Sequence, residues 1–172
     1  CDNRRVDPLF LQIFHARYPS LAFVGIPHSV VPFPLFEFQS ELIAAVWTGK
    51  ASLPEVEERM DWVQRLYDRK GRVRDTHHLG SEQWNYSRDL LRRAGVLPSE
   101  GSEDVSSVDA IRAARIEAFL QRSEAIYNHA GTARPKFPGA ADTYRKLEYT
   151  VDLTDPLSLS WQVAASNAPG DG

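Results

Sequence analysis

The chain has 172 residues, enough for one domain. Its apolar share of 42% and charged share of 25% are those of a globular chain, which excludes collagen-like, wholly disordered and membrane-embedded classes. Twenty basic against 23 acidic side chains give a net charge of −3, with no basic excess for a phosphate backbone, so no nucleic-acid partner is expected. Cys1 is the single cysteine, which excludes an internal disulfide and a cysteine-rich metal site. Met60 is the single methionine, and a chain opening on cysteine is expected to be a piece of a longer protein. The longest apolar stretches, Leu21 to Pro27 and Val30 to Phe38, are too short for a membrane span. A cytoplasmic, reducing location is expected.

Leu9 to Phe14 is a weak strand candidate. Leu21-Ala22-Phe23-Val24 is continuously apolar and stops at Gly25, the pattern of a strand covered on both faces. Ile26 to Pro34 contains Pro27, Pro32 and Pro34 and reads as an irregular loop. A helix is predicted over 35–49, so apolar that burial on most sides is expected, with Gly49 as its stop. Ser52 and Glu55 have capping-box spacing ahead of a helix over 54–70, with Val56, Met60, Val63 and Tyr67 facing inward. A third helix is predicted over 82–94, with Trp84, Leu91 and Ala94 on one side, and a fourth over 108–129. The overall class is α/β with few strands and helices dominating.

Gly25-Ile26-Pro27 at a strand end, leading to a helix, is a candidate ligand turn, because glycine admits close backbone approach and a helix start presents free N–H groups. The plainer alternative is an ordinary strand-to-loop turn. His77-His78 invites a metal reading, but adjacent histidines on a strand diverge and no third ligand stands at helical spacing. His28, beside the candidate turn, is the isolated histidine to watch. Glu55 to Glu58 reads as the acidic first turn of the helix over 54–70, and Arg92-Arg93, near the end of the helix over 82–94, as the complementary feature. The sequence contains no glycine-rich dinucleotide turn, P-loop or nucleophile elbow.

Several ordered blocks resemble plant-type flavin-containing monooxygenases of the glucosinolate S-oxygenase-like kind. They are Asp2 to Phe10, Tyr18 to Pro27, Val31 to Ser40, Leu42 to Pro54, and Thr76-His77-His78-Leu79-Gly80 with Gln83-Trp84 and Tyr86. Asp7 stands where the family has glycine, and Phe10 where it has tyrosine. The resemblance covers roughly residues 2 to 96 and implies the C-terminal portion of a Rossmann-like FAD domain. The family's two glycine motifs for FAD and NADPH would then lie upstream. It implies an NADPH-dependent enzyme that oxygenates soft nitrogen or sulfur atoms of small molecules through a flavin hydroperoxide. It carries Gly25, Ile26 and Pro27 over as the strand end against the flavin, with Phe36 and Gln39 on the following helix as further cofactor-binding residues. No catalytic residue and no metal ligand is carried over, and His77 becomes structural packing at a surface loop.

The expected organisation is a partial flavin domain over 1–97, an acidic linker over 98–107, a helical extension over 108–166 and a disordered tail over 167–172. The isolated chain is expected to be inactive. The competing expectation is a non-catalytic helical interaction module that retains a relic of the flavin domain.

Overall fold

The structure is a computed structural model that describes residues 5–99, 109–133, 147–151 and 161–165. The expected tail over 167–172 and residues 100–107 of the expected linker lie outside the described residues. Two compact units divide between Ala113 and Ala114.

The first unit opens with a small antiparallel hairpin, β1 (Leu9–Phe10) and β2 (Phe14–His15), pairing Leu9 with His15 and Phe10 with Phe14. The single strand expected over Leu9 to Phe14 therefore folds back on itself. Its reversal is at Leu11 and Gln12, both at positive φ (52° and 60°), with Ile13 N–H donating to Phe10 O at 3.1 Å. Two positive φ angles in sequence are the pattern of a type I′ turn, normally reserved for glycine and asparagine.

The strand expected over Leu21 to Val24 does not form. Ala22 makes one antiparallel bridge to Phe14, flanked by His15 N–H to Leu21 O and Phe23 N–H to Ile13 O, both 2.9 Å. Leu21 and Val24 are each 47% exposed, so the segment is an edge with one side open. Continuous apolarity here marks an uncovered surface rather than a doubly covered strand.

α1 (Pro32–Trp47) starts earlier than the sequence suggests. Pro32 and Pro34 fall in its first turn, where N–H groups have no acceptor within the helix and proline costs nothing. Val31 caps it by geometry alone, and its N–H donates to Gln83 Oε1 at 2.7 Å. The helix ends in a Schellman motif: Lys50 N–H reaches Ala45 O at 2.8 Å and Gly49 N–H reaches Val46 O at 3.1 Å. Gly49 supplies the φ of 74° that this motif requires. Leu35, Phe38, Gln39, Leu42, Ile43 and Ala45 are buried, whereas Phe33, Ser40, Ala44 and Trp47 are exposed. Burial on most sides was the expectation; one side is open instead.

α2 (Val56–Lys70) starts at Glu55 with no side-chain cap, so the expected capping box is not made. What anchors this start is Arg59, 9% exposed, whose Nε donates to Ala16 O at 2.7 Å and whose Nη1 donates to Pro54 O. Turns of 3-10 helix at Val73–Asp75 and Gly80–Glu82 lead into α3 (Gln83–Arg93), which packs against α1. α2 packs against β1, where Phe10 meets Trp62 edge-on at 5.4 Å. Phe10, Leu11, Ile13, Phe14, Ala16, Leu42, Ile43, Val63 and Leu90 form the core.

α4 (Ala110–Ala133) begins in the first unit, where Arg112 pairs with Glu41. The second unit also holds β3 (Leu147–Val151) and β4 (Trp161–Ala165), an antiparallel hairpin with Leu147 opposite Ala165. The extension expected to be helical over 108–166 thus contains a hairpin as well as a helix. Helices dominate the described residues, as expected.

Two substitutions separate core from surface. Phe14→Ala, at a side chain with 0% exposure, should cost about 3–5 kcal/mol in urea unfolding. Phe33→Ala, at 81% exposure, should stay within about 0.5 kcal/mol of the parent.

Candidate functional site

The turn carrying Gly25 joins the edge segment to α1. Gly25 has φ +82°, a region open to glycine and strained for other residues. A Cβ built there would stand 2.9 Å from Phe36 Cε1, so the Phe36 ring lies directly against the Gly25 backbone. Phe36 in turn meets Phe33 edge-on at 6.3 Å. Gly25 N–H donates to Gln39 Oε1 at 2.9 Å, and Gln39 Nε2 donates to the Tyr86 hydroxyl at 2.9 Å. Tyr86 then donates to Leu11 O at 2.7 Å.

Of the five residues the resemblance marks, Gly25 contacts both Phe36 and Gln39. Ile26 is half-buried and Pro27 buried in the same turn. Gln39 has 0% exposure, and both ends of its amide are engaged within the chain. Its direct role here is to hold the turn.

The far side of the turn rests on the histidine segment. His28 N–H donates to His77 O at 2.9 Å, and Leu79 N–H donates to His28 O at 3.2 Å. The His28 and His78 rings meet edge-on at 5.3 Å. His77 is buried, at 6% exposure, rather than on the surface as expected. Its Nε2 accepts from Val6 N–H at 3.0 Å and its Nδ1 contacts Gln12 Oε1 at 2.5 Å, which assigns the neutral tautomer with the proton on Nδ1. Gln12 Nε2 donates to Thr76 O at 2.9 Å. Burial, with smaller contributions from His28 and Arg5, pushes the His77 pKa below its ordinary 6.5. Among the described residues, no group of three potential ligands could hold a metal ion.

Within this network the sequence marks Gly25, Phe36, Gln39, His28 and His77, but not the contacts that join them. Tyr86 enters only as part of a resembling block, and Gln12 carries no signal. Asp7 and Phe10, the departures from the family pattern, are both structural: Asp7 accepts from the Tyr67 hydroxyl, and Phe10 sits in the core. A cleft of about 310 Å³ lies beside Tyr86, between α2 and α3, with Trp62, Leu66, Leu79 and Asp89 in its wall. Gln12 and Tyr86 also line it, and their amide and hydroxyl are already spent within the protein.

The edge segment and α1 carry open apolar side chains, beside the exposed polar residues His28, Ser29 and Glu37. Leu21, Val24, Phe33 and Trp47 are each between 47% and 81% exposed. Trp47 Nε1 donates to Pro19 O at 3.2 Å, which ties the end of α1 to the segment before Leu21.

No family model matches the chain. Flavin-containing monooxygenase FMO GS-OX-like 4 of Arabidopsis thaliana is 41% identical over 104 residues, 58% of this chain and 23% of the relative. FMO GS-OX-like 2 of the same plant is 45% identical over 69 residues, 40% of this chain and 15% of the relative. The solved structure of S-allyl-L-cysteine S-oxygenase from Allium sativum superposes with a TM-score of 0.61 at 33% identity, covering 84% of this chain and 29% of that one. This stretch is homologous to plant flavin-containing monooxygenases. The matched stretch spans 23% and 15% of the length of these two curated relatives. Among the described residues, no helix is long and apolar enough to cross a membrane.

Two outcomes follow from the site. Gly25→Ala should destabilise the chain by about 1–2 kcal/mol from backbone strain alone, before any clash with Phe36. Pairing it with Phe36→Ala should remove only the steric part, which thermal melts of the single and double variants will separate. The second concerns pH. Because the folded His77 pKa lies below the unfolded value, its contribution to stability is complete above about 6.5. It is lost progressively as pH falls from there toward the folded pKa. The melting temperature should therefore drop on acidification from pH near 7, and His77→Gln should flatten that drop.

Proposed function

We propose that the chain is the C-terminal portion of the FAD domain of an NADPH-dependent monooxygenase, acting in the cytoplasm on soft nitrogen or sulfur atoms of small molecules. The observation that carries this reading is the surface at the Gly25 turn, where the open apolar side chains of Val24 and Phe33 flank a glycine whose backbone is clamped in place. A flat, largely apolar ring system fits such a face. A phosphate does not: with Pro32 and Pro34 in the first turn of α1, Phe33 alone supplies an unengaged first-turn N–H, where an ordinary helix start offers more. The pyrophosphate would be held elsewhere, by glycine-rich turns that this chain does not contain.

Bound FAD would supply the oxygen-activating chemistry, with NADPH as reductant. The residues of this chain bind and orient. Gly25 and Ile26 bring backbone close to the ring, Pro27 and Phe36 stiffen the turn, and Gln39 fixes it from behind. Phe33, Leu21 and Val24 keep water from that side once covered. The chain by itself is proposed to have no oxygenase activity.

A second reading rests on α4. Ile111, Phe119 and Ile126 are 71%, 44% and 40% exposed, a density of open apolar side chains that suits a helical interaction module. A colourless full-length protein would favour it.

The test uses the full-length protein with NADPH, heavy-isotope dioxygen and an aryl methyl sulfide. The expected result is a yellow protein that forms labelled sulfoxide only with NADPH present. A flavin-free protein, or no label in the product, contradicts the proposal. Titration of this chain alone with FAD should show binding weaker than low micromolar; tighter binding would contradict the assignment of the pyrophosphate to turns outside it.

A further inference from the structure

We propose that Tyr86 is the positioning residue of the Gly25 turn, acting through the Gln39 amide, and that the direction of the whole relay is set by the Leu11 carbonyl. Its consequence for the cofactor rests on the flavin reading above.

The argument is one of hydrogen-bond polarity. A carbonyl oxygen only accepts, so Leu11 O commits the single proton of the Tyr86 hydroxyl, at 2.7 Å. The hydroxyl oxygen is then left as an acceptor toward Gln39, and only the NH₂ end of the amide satisfies it, at 2.9 Å. That choice turns Oε1 toward Gly25, where it accepts the backbone N–H at 2.9 Å. Reversing the amide would set NH₂ against N–H at Gly25, two donors face to face. Gln39 has 0% exposure, so no water substitutes for a lost partner and the wrong orientation is costly. Burial raises the Tyr86 pKa, so the phenol stays protonated and the relay keeps its direction at neutral pH.

The start of the relay is fixed in turn. Leu11 sits at φ +52° inside the core, and its neighbour Gln12 is tied to Thr76 O and to His77. The Leu11 carbonyl therefore has one direction. The relay crosses from the first hairpin to α3, from α3 to α1, and from α1 to the Gly25 turn. It joins residues 11, 86, 39 and 25, far apart in sequence.

The test is amide hydrogen exchange in this chain, read at Gly25 and at Phe23. Phe23 N–H bonds to Ile13 O at 2.9 Å, outside the relay. Tyr86→Phe keeps the ring and removes the hydroxyl. Gly25 exchange should rise roughly tenfold, the size of one lost net hydrogen bond, with Phe23 little changed. In a Gln39→Ala background the same substitution should have no further effect on Gly25. Equal acceleration at both amides, or none at Gly25, overturns the proposal. Should Tyr86→Phe not fold, the parent protein decides it. Nuclear Overhauser contacts from the Gln39 side-chain NH₂ to the Tyr86 ring, and not to the Gly25 amide, support the relay; the reverse pattern overturns it. In the full-length protein, Tyr86→Phe should weaken FAD retention roughly tenfold if the turn meets the flavin. Selective Gly25 exchange with unchanged FAD retention supports the relay and contradicts the flavin reading instead.

Discussion

Two adjacent residues without glycine's freedom, Leu11 and Gln12, hold left-handed backbone angles in the middle of the core, and the first unit is arranged around keeping them there. Each costs about 1–2 kcal/mol in that region, which the turn cannot recover from its own hydrogen bond. Tertiary contacts supply the rest. The Leu11 residue is 1% exposed and its carbonyl accepts from the Tyr86 hydroxyl; the Gln12 amide donates to Thr76 O and accepts from His77. Two networks radiate from this point. One runs through Tyr86 and Gln39 to the front of the Gly25 turn, and the other runs through His77 to the His28 backbone behind it. The turn is held from both sides by groups that trace back to one strained hairpin.

This arrangement explains a contrast at the site. The backbone of the Gly25 turn is constrained by Gln39, Phe36 and the His28–His77 bond, yet the side chains around it, Leu21, Val24 and Phe33, are open. A rigid backbone beneath an uncovered apolar surface is what a preorganised binding face requires. Rigidity comes from buried polar networks, and those are costly unless every member is satisfied. Here Gln12, Gln39 and His77 have partners at both ends.

The helices were legible because their apolar periodicity and glycine stops are local signals; α2 and α3 begin and end within two residues of the sequence-based ranges. The start of α1 was obscured by Pro32 and Pro34, which break a helix interior but suit its first turn. The segment at Leu21 to Val24 misled because continuous apolarity does not distinguish a covered strand from an uncovered edge. Arg59 was invisible as an anchor, since a charged residue among Glu57, Glu58 and Asp61 reads as part of a solvated face. The turn at Leu11–Gln12 lacks the glycine or asparagine that announces such geometry. At the site, the resemblance marked Gly25 and Gln39. What joins them to Tyr86, Leu11 and His77 depends on contacts across 47 to 75 positions of sequence, which no local pattern encodes.

The account turns on what lies against the Gly25 turn. A crystal structure of the full-length protein with FAD bound measures this directly, as the distance from Gly25 and Ile26 backbone atoms to the nearest atom of the isoalloxazine ring. The account predicts van der Waals contact, about 4 Å, with the Phe33 ring covered. A separation beyond about 8 Å, or a turn covered by protein alone, would contradict it.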